Sequence, residues 1–348
     1  MSLSRHHVSP PSPPIAAPLI WYARCPTLTA MGLVANRGVF AREFLREHVY
    51  IVSVRETSQA SVREGHLDHT LPNLFREADA ATALWAHGQN SRSRLLAIGQ
   101  TWHSVSIVTR PSQPIHGLKA LAGRRLSVPK EAGPFSPAQV RSLRAWQTVL
   151  AAAGVAARDV EFVPVVADHP SVPFGDVARR EVEALLSGQT DVAILYGAKG
   201  LELARSAHLK EVHRFTPEAI KADPRLSGLV ELRALTVDQA LLEDRPDIVT
   251  RLTGKLLEAA AWASDFPKEA LRQAAAEGGV EPEDAATAYG ALIAEDAGLG
   301  LEAERLSALG ELQTWLKSHH RLAAEHDIEA WLSPRVLAHA QTRRKEVA

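Results

Sequence analysis

The sequence predicts an α/β fold in which a small central unit is inserted into a larger, discontinuous one. Three observations point that way. Short β-branched runs alternate with Ala/Leu-rich amphipathic segments as far as about residue 245, the pattern of strands joined by packed helices. Beyond that point the text is helical throughout, in "RPDIVTRLTGKLLEAAAWASDF" and the three runs that follow. Two Pro- and Gly-punctuated stretches, "TRPSQPIHGLKALAGRRLSVP" and "TPEAIKADPRLSGLVELRALTVDQALLEDRPDIV", mark where the chain enters and leaves the central unit.

In chain order, the apolar runs predict strands over 19–23, 49–54, 94–98, 104–109, 126–128, 160–165, 191–195 and roughly 230–235. Between them the apolar spacing predicts helices over 28–35, 80–86, 137–153, 177–186 and 199–206. Three helices of the tail open on Pro246, Pro267 and Pro282. Proline suits the first helical turn, where its missing N–H has no intrahelical partner to lose. These elements divide the chain into a leader over 1–17, a first lobe over 18–110 and 231–348, and a second lobe over 111–230.

Composition bounds the function. The 348 residues are 46% hydrophobic and 23% charged, with 39 Lys and Arg against 40 Asp and Glu. A net charge of −1 supplies no global basic field for nucleic acid or anionic membrane. A single cysteine excludes an internal disulfide. The first eighteen residues hold five prolines and lack the apolar core of a secretory signal, so the expected location is cytoplasmic. No stretch approaches the ~18 apolar residues of a membrane span.

The sequence carries no phosphate-binding glycine loop, nucleophile elbow, HExxH or paired-cysteine site. What remains is Cys25, in "PLIWYARCPTLTAMG", and the segment "REGHLDHTLPNLFREADAATALWAHGQNSRSRLLAIGQTWH". Position leaves two readings of Cys25. It is a small buried side chain, as free cysteine usually is, or a reactive thiol at the carboxyl end of a strand, where α/β sheets bind ligands. Arg24 and a following helix N-terminus would lower its pKa in the second case. His66 and His69 stand three apart in what reads as a loop. Each is a solvated histidine or the activator of a thiol, and with only Asp68 at ligand spacing no metal is expected. Arg76 follows an apolar pair, and either pairs with Glu77 or Asp79 or forks onto an anion. Trp85, Trp102 and His103 are candidates for the wall of an aromatic pocket, or for core.

The stretches "HGLKALAGRRLSVP", "LLSGQTDVAILYGAKGLELARS", "LTVDQALLEDRPDIVTRLTGKLLEAAAWA" and "EHDIEAWLSPRVL", in that order, resemble the type II periplasmic-binding-protein family. The likeness is to its sulfonate, nitrate and taurine binders, and it covers about 18–340. It implies two lobes with a ligand cleft between them and a helical C-terminal region. Within the family, Tyr22-Ala23-Arg24-Cys25-Pro26 and the order His66, Pro72, Arg76 are similar to the 2′-hydroxybiphenyl-2-sulfinate desulfinase branch.

The resemblance implies that Cys25 is the nucleophile or acid, His66 its partner, and Arg76 the clamp on the sulfinate. His69, Trp102 and Tyr196 are the substrate-binding residues it suggests. It also implies no metal or organic cofactor, a small anionic sulfinate or sulfonate ligand, no nucleic-acid partner, and a monomer. The branch has glycines just after its arginine where this chain has "READ", and its cysteine-to-histidine separation is shorter. Whether His66 or His69 partners the thiol stays open, as does attack against proton delivery. The alternative function is the solute receptor of an importer for a sulfonate or aromatic acid.

Overall fold

The computed structural model describes residues 19–25, 27–167 and 175–347. The leader expected over 1–17 and Pro26 of the Tyr-x-x-Cys-Pro run lie outside them. Among the described residues the strands are β1 (Leu19–Arg24), β2 (Tyr50–Ser53), β3 (Leu74–Asp79), β4 (Ser93–Thr101), β5 (Val105–Thr109), β6 (Arg125–Glu131), β7 (Glu161–Ala167), β8 (Val192–Tyr196), β9 (Lys210–Phe215), β10 (Glu231–Asp238) and β11 (Leu299–Gly300). They form two sheets, one ordered β11-β4-β10-β3-β1-β2 and the other β7-β6-β8-β5-β9. This is the two-lobe α/β fold expected, with a helical C-terminal region.

In the larger sheet β1 runs parallel to β2 and β3, while β10 runs antiparallel to β3 and β4. In the smaller sheet β6 is parallel to β7 and β8, and β5 is antiparallel to β8 and β9. Pro164 cannot donate to a ladder, and it falls on β7, at the sheet's edge. Because β5 hydrogen-bonds into the smaller sheet, that sheet begins at Val105, inside the stretch assigned above to the first lobe (18–110).

Three strands were missing from the sequence reading: β3, β9 and β11. The lapse at β3 matters most, because it carries Arg76. The helix Ala80–Asn90 follows it directly, and Asp79 caps that helix, its Oδ1 accepting from Thr82 N at 2.8 Å. Asp79 is thereby turned into the helix end rather than left free as a carboxylate after the arginine.

Each sheet has its own core. Phe75, Leu235 and Val237 pack with the helices Ala30–Asn36 and Pro246–Asp265 on one face of the larger sheet. Val105, Leu126 and Ile194 pack with Trp146 and Val149 of the helix Pro137–Ala153 in the smaller. The two bodies also touch: Phe135 stacks on Trp85 with centroids 5.2 Å apart, and Val140 joins the cluster around Ala80 and Leu84. Burial of these apolar groups on both sides holds one flank of the cleft together.

Candidate active site

Strand polarity brings the site together. Cys25 follows the last residue of β1, and β3 runs beside β1 with Ala23 opposite Arg76 and Arg24 opposite Glu77. The antiparallel β10 starts at this same edge, with Arg233 opposite Asp79. In the smaller sheet β8 ends at Tyr196, and the antiparallel β5 brings His103 and Ser104, just ahead of its first residue, to that end. The carboxyl ends of the parallel strands are where α/β sheets take ligands.

The loop after Cys25 is anchored by a fully buried ion pair. Arg233 Nε lies 3.2 Å from Glu77 Oε1. Glu77 Oε2 accepts from Met31 N at 2.8 Å, and Arg233 Nη1 donates to Leu28 O at 3.3 Å. Charges so placed are stable only because each is paired and hydrogen-bonded. Alternation along β3 puts Glu77 on the face opposite Arg76, which rules out the expected pairing of Arg76 with its neighbour.

Arg76 is 1% exposed and its Nη1 donates to the carbonyls of His66 at 2.6 Å and Leu67 at 3.0 Å. Among the described residues its Nε and Nη2 have no partner. Burial lowers its pKa to about 10, so it remains a cation at neutral pH. A buried guanidinium with two open donors is a site for an anion's oxygens.

Cys25 is 5% exposed, and burial, then the Glu231 carboxylate, push its thiol up to about 12. This corrects the expectation that Arg24 would lower it. Arg24 is drawn off to Glu277, with Nε 3.0 Å from Oε1, where Arg55 joins it at 2.6 Å. The helix Ala30–Asn36, capped by Thr29, begins beyond the intervening loop. Cys25 is therefore an S–H group in the unliganded site.

His66 closes the short helix Ala60–Gly65, and its Nδ1 contacts the Arg63 carbonyl. That contact assigns the proton to Nδ1 and leaves Nε2 as an acceptor. Burial, with Arg76 next, lowers its pKa to about 4. His69, at φ 62, places Nε2 3.1 Å from Thr236 Oγ1. It lines an open hollow with Pro72, Arg92 and Asp238, by the amino end of β3. Among the described residues no hydrogen bond joins the Cys25 thiol to either histidine, and no group of three or more His, Cys, Asp or Glu could hold a metal ion.

Trp102 is half-buried at the crossing between sheets, with its N donating to Asp296 Oδ1 at 2.8 Å and Lys221 over its ring. Tyr196 carries the Arg141 guanidinium 4.3 Å above its ring. Arg141, Glu231 and Arg233 were not foreseen. A signal was available for the last two: "VELRAL" sets Glu231 and Arg233 two apart in an apolar strand, hence on one buried face, where both need partners.

Comparison with known proteins agrees with this architecture. The 2′-hydroxybiphenyl-2-sulfinate desulfinases of Rhodococcus erythropolis and Rhodococcus qingshengii are each 24% identical, over 93% of this chain and 94% of theirs. The desulfurization enzyme DSZB, solved as a cysteine-to-serine variant with biphenyl-2-sulfinic acid, superposes with a TM-score of 0.76 at 22% identity, over 93% of this chain and 99% of that one. A periplasmic sulfonate-binding protein from Methylobacillus flagellatus KT gives a TM-score of 0.68 at 15% identity, over 94% and 95% of the two chains. The family profile described as NMT1/THI5 like matches residues 93–270, just over half of the 348 residues, and the chain belongs to that family.

Proposed function

We propose that the protein is a desulfinase that hydrolyses the carbon–sulfur bond of an aryl sulfinate. The observation that carries this reading is the pair of open donors on buried Arg76, beside the strand that ends just before Cys25. Arg76 Nε and Nη2 hold the two sulfinate oxygens as a fork. Cys25, held as S–H, delivers its proton to the ring carbon that bears sulfur, and the C–S bonding pair becomes the new C–H bond. Sulfur dioxide leaves, water adds to it as bisulfite, and the proton released restores the thiol. The sum is ArSO2− + H2O → ArH + HSO3−, which needs no oxidant or reductant. Arg76 and Arg141, which both feel the charge of Cys25, stabilise the transient thiolate. His66 acts through its carbonyl, which accepts from Arg76 Nη1 and holds the fork in place; His69, tied to Thr236, is assigned no part in the proton transfer.

A second reading, a receptor for a sulfonate or aromatic acid, draws on the likeness to sulfonate-binding proteins and on a thiol far from ionisation. Sulfite release from 2′-hydroxybiphenyl-2-sulfinate by the wild type, lost in Cys25→Ser, supports the desulfinase. Sulfonate binding with no sulfite release supports the receptor and overturns the enzyme.

A further inference from the structure

His103 sits where the chain passes from β4 to β5, is 2% exposed, and among the described residues has no hydrogen-bond partner on either ring nitrogen. A buried imidazole without partners is uncommon, because each unmet nitrogen forfeits the bond it made to water. Its place at the ligand edge of the smaller sheet, with the ring against Gly197 and edge-on to Tyr196, makes a ligand the natural partner. Among the same residues Ser104 Oγ beside it is also unpartnered.

The electrostatics say which kind of ligand atom. Glu231 Oε2 lies 3.8 Å from His103 Nδ1 and 3.2 Å from Arg141 Nη1. Although burial opposes it, the Arg141 guanidinium holds Glu231 below the usual carboxylate range. A carboxylate facing Nδ1 fixes the proton there. Burial lowers the His103 pKa to about 4, so the ring stays neutral and Nε2 is left as a lone-pair acceptor. Such an atom repels a sulfinate oxygen and suits an O–H donor. Of the charges that act on Cys25, Glu231 has the largest effect, which ties this subsite to the reacting centre.

We propose that His103 is a specificity residue: its Nε2 accepts a hydrogen bond from a hydroxyl carried on the aryl part of the substrate, while Arg76 holds the anionic end. The inference rests on the reading of the ligand as an aryl sulfinate, and equilibrium binding separates the two. Dissociation constants are measured by calorimetry for 2′-hydroxybiphenyl-2-sulfinate and biphenyl-2-sulfinate, in the Cys25→Ser background so that neither is consumed. One neutral hydrogen bond to a buried acceptor predicts an about tenfold preference for the hydroxylated ligand. His103→Phe collapses that preference to about onefold, and His103→Gln, which keeps an acceptor, retains part of it. Equal binding of both ligands before any change at His103 overturns the proposal and leaves the desulfinase reading standing, as does a preference that survives His103→Phe. Binding of neither ligand overturns the reading of the substrate and this inference with it.

Discussion

Arg141, from the helix that follows β6 in the smaller sheet, reaches Glu231 at the first residue of β10 in the larger one, at 3.2 Å. The pair joins the two sheets, and Glu231 is, after burial, the group that raises the Cys25 thiol most, so one contact between the lobes also bears on the thiol.

Glu231→Gln should lower the thiol pKa. Burial alone raises it, and the carboxylate raises it further by disfavouring a second negative charge nearby. Removing that charge also leaves Arg141 without its carboxylate partner, in the same direction. With one cysteine in 348 residues, the pH dependence of alkylation by a thiol reagent reports Cys25 alone. A titration midpoint unchanged from wild type would show that burial is the whole cause.

Arg76→Ala should weaken sulfinate and sulfonate binding by about tenfold to hundredfold, the range for losing charge-assisted hydrogen bonds worth about 1.5–3 kcal/mol. It also frees the carbonyls of His66 and Leu67, so thermal stability should fall. Arg76→Lys keeps the charge but not the fork, and should fall between the two in affinity. Equal affinity in all three proteins would remove Arg76 from the ligand site.

Asp79→Asn should keep the fold to within about 1 kcal/mol, since asparagine caps a helix about as well as aspartate. Its Oδ1 would still accept from Thr82 N. The lost charge is one that raises the Cys25 pKa, and it is also the first charge that favours the Arg76 cation. Anion affinity should therefore rise severalfold. Weaker binding of the same ligand would mean that the carboxylate takes part in recognition, through a proton it carries.

Much of the architecture was legible because it is written in local pattern. The helix over 137–153 was placed to the residue, since Ser136 caps it, Pro137 opens it and Gly154 ends it. The strand "LFREAD" was not, because three of its six residues are charged and strand reading expects apolar alternation. Its burial depends on Arg233, 156 positions away, and on two backbone carbonyls supplied by a turn. Cys25 and Arg76 were found by resemblance and by their odd surroundings. Arg141 gave no local sign, since its partners Glu231 and Tyr196 come from two other strands.

The acid limb of stability should carry the signature of His103. Its folded-state pKa, near 4, lies below the ordinary 6.5, so the folded protein takes this proton less readily than the unfolded chain. The sign follows: the contribution to stability is complete above about pH 6.5 and is lost as pH falls toward 4, by about 1.4 kcal/mol per pH unit between. His66 and His87, also lowered to about 4, add to the wild-type slope but are common to both proteins compared. His103→Gln should therefore lose less stability than wild type between pH 6.5 and 4.5, read as urea midpoints at half-unit steps. Urea curves that stay parallel over that window would mean that His103 is protonated in the fold, and Nε2 would then be a donor facing the ligand rather than an acceptor.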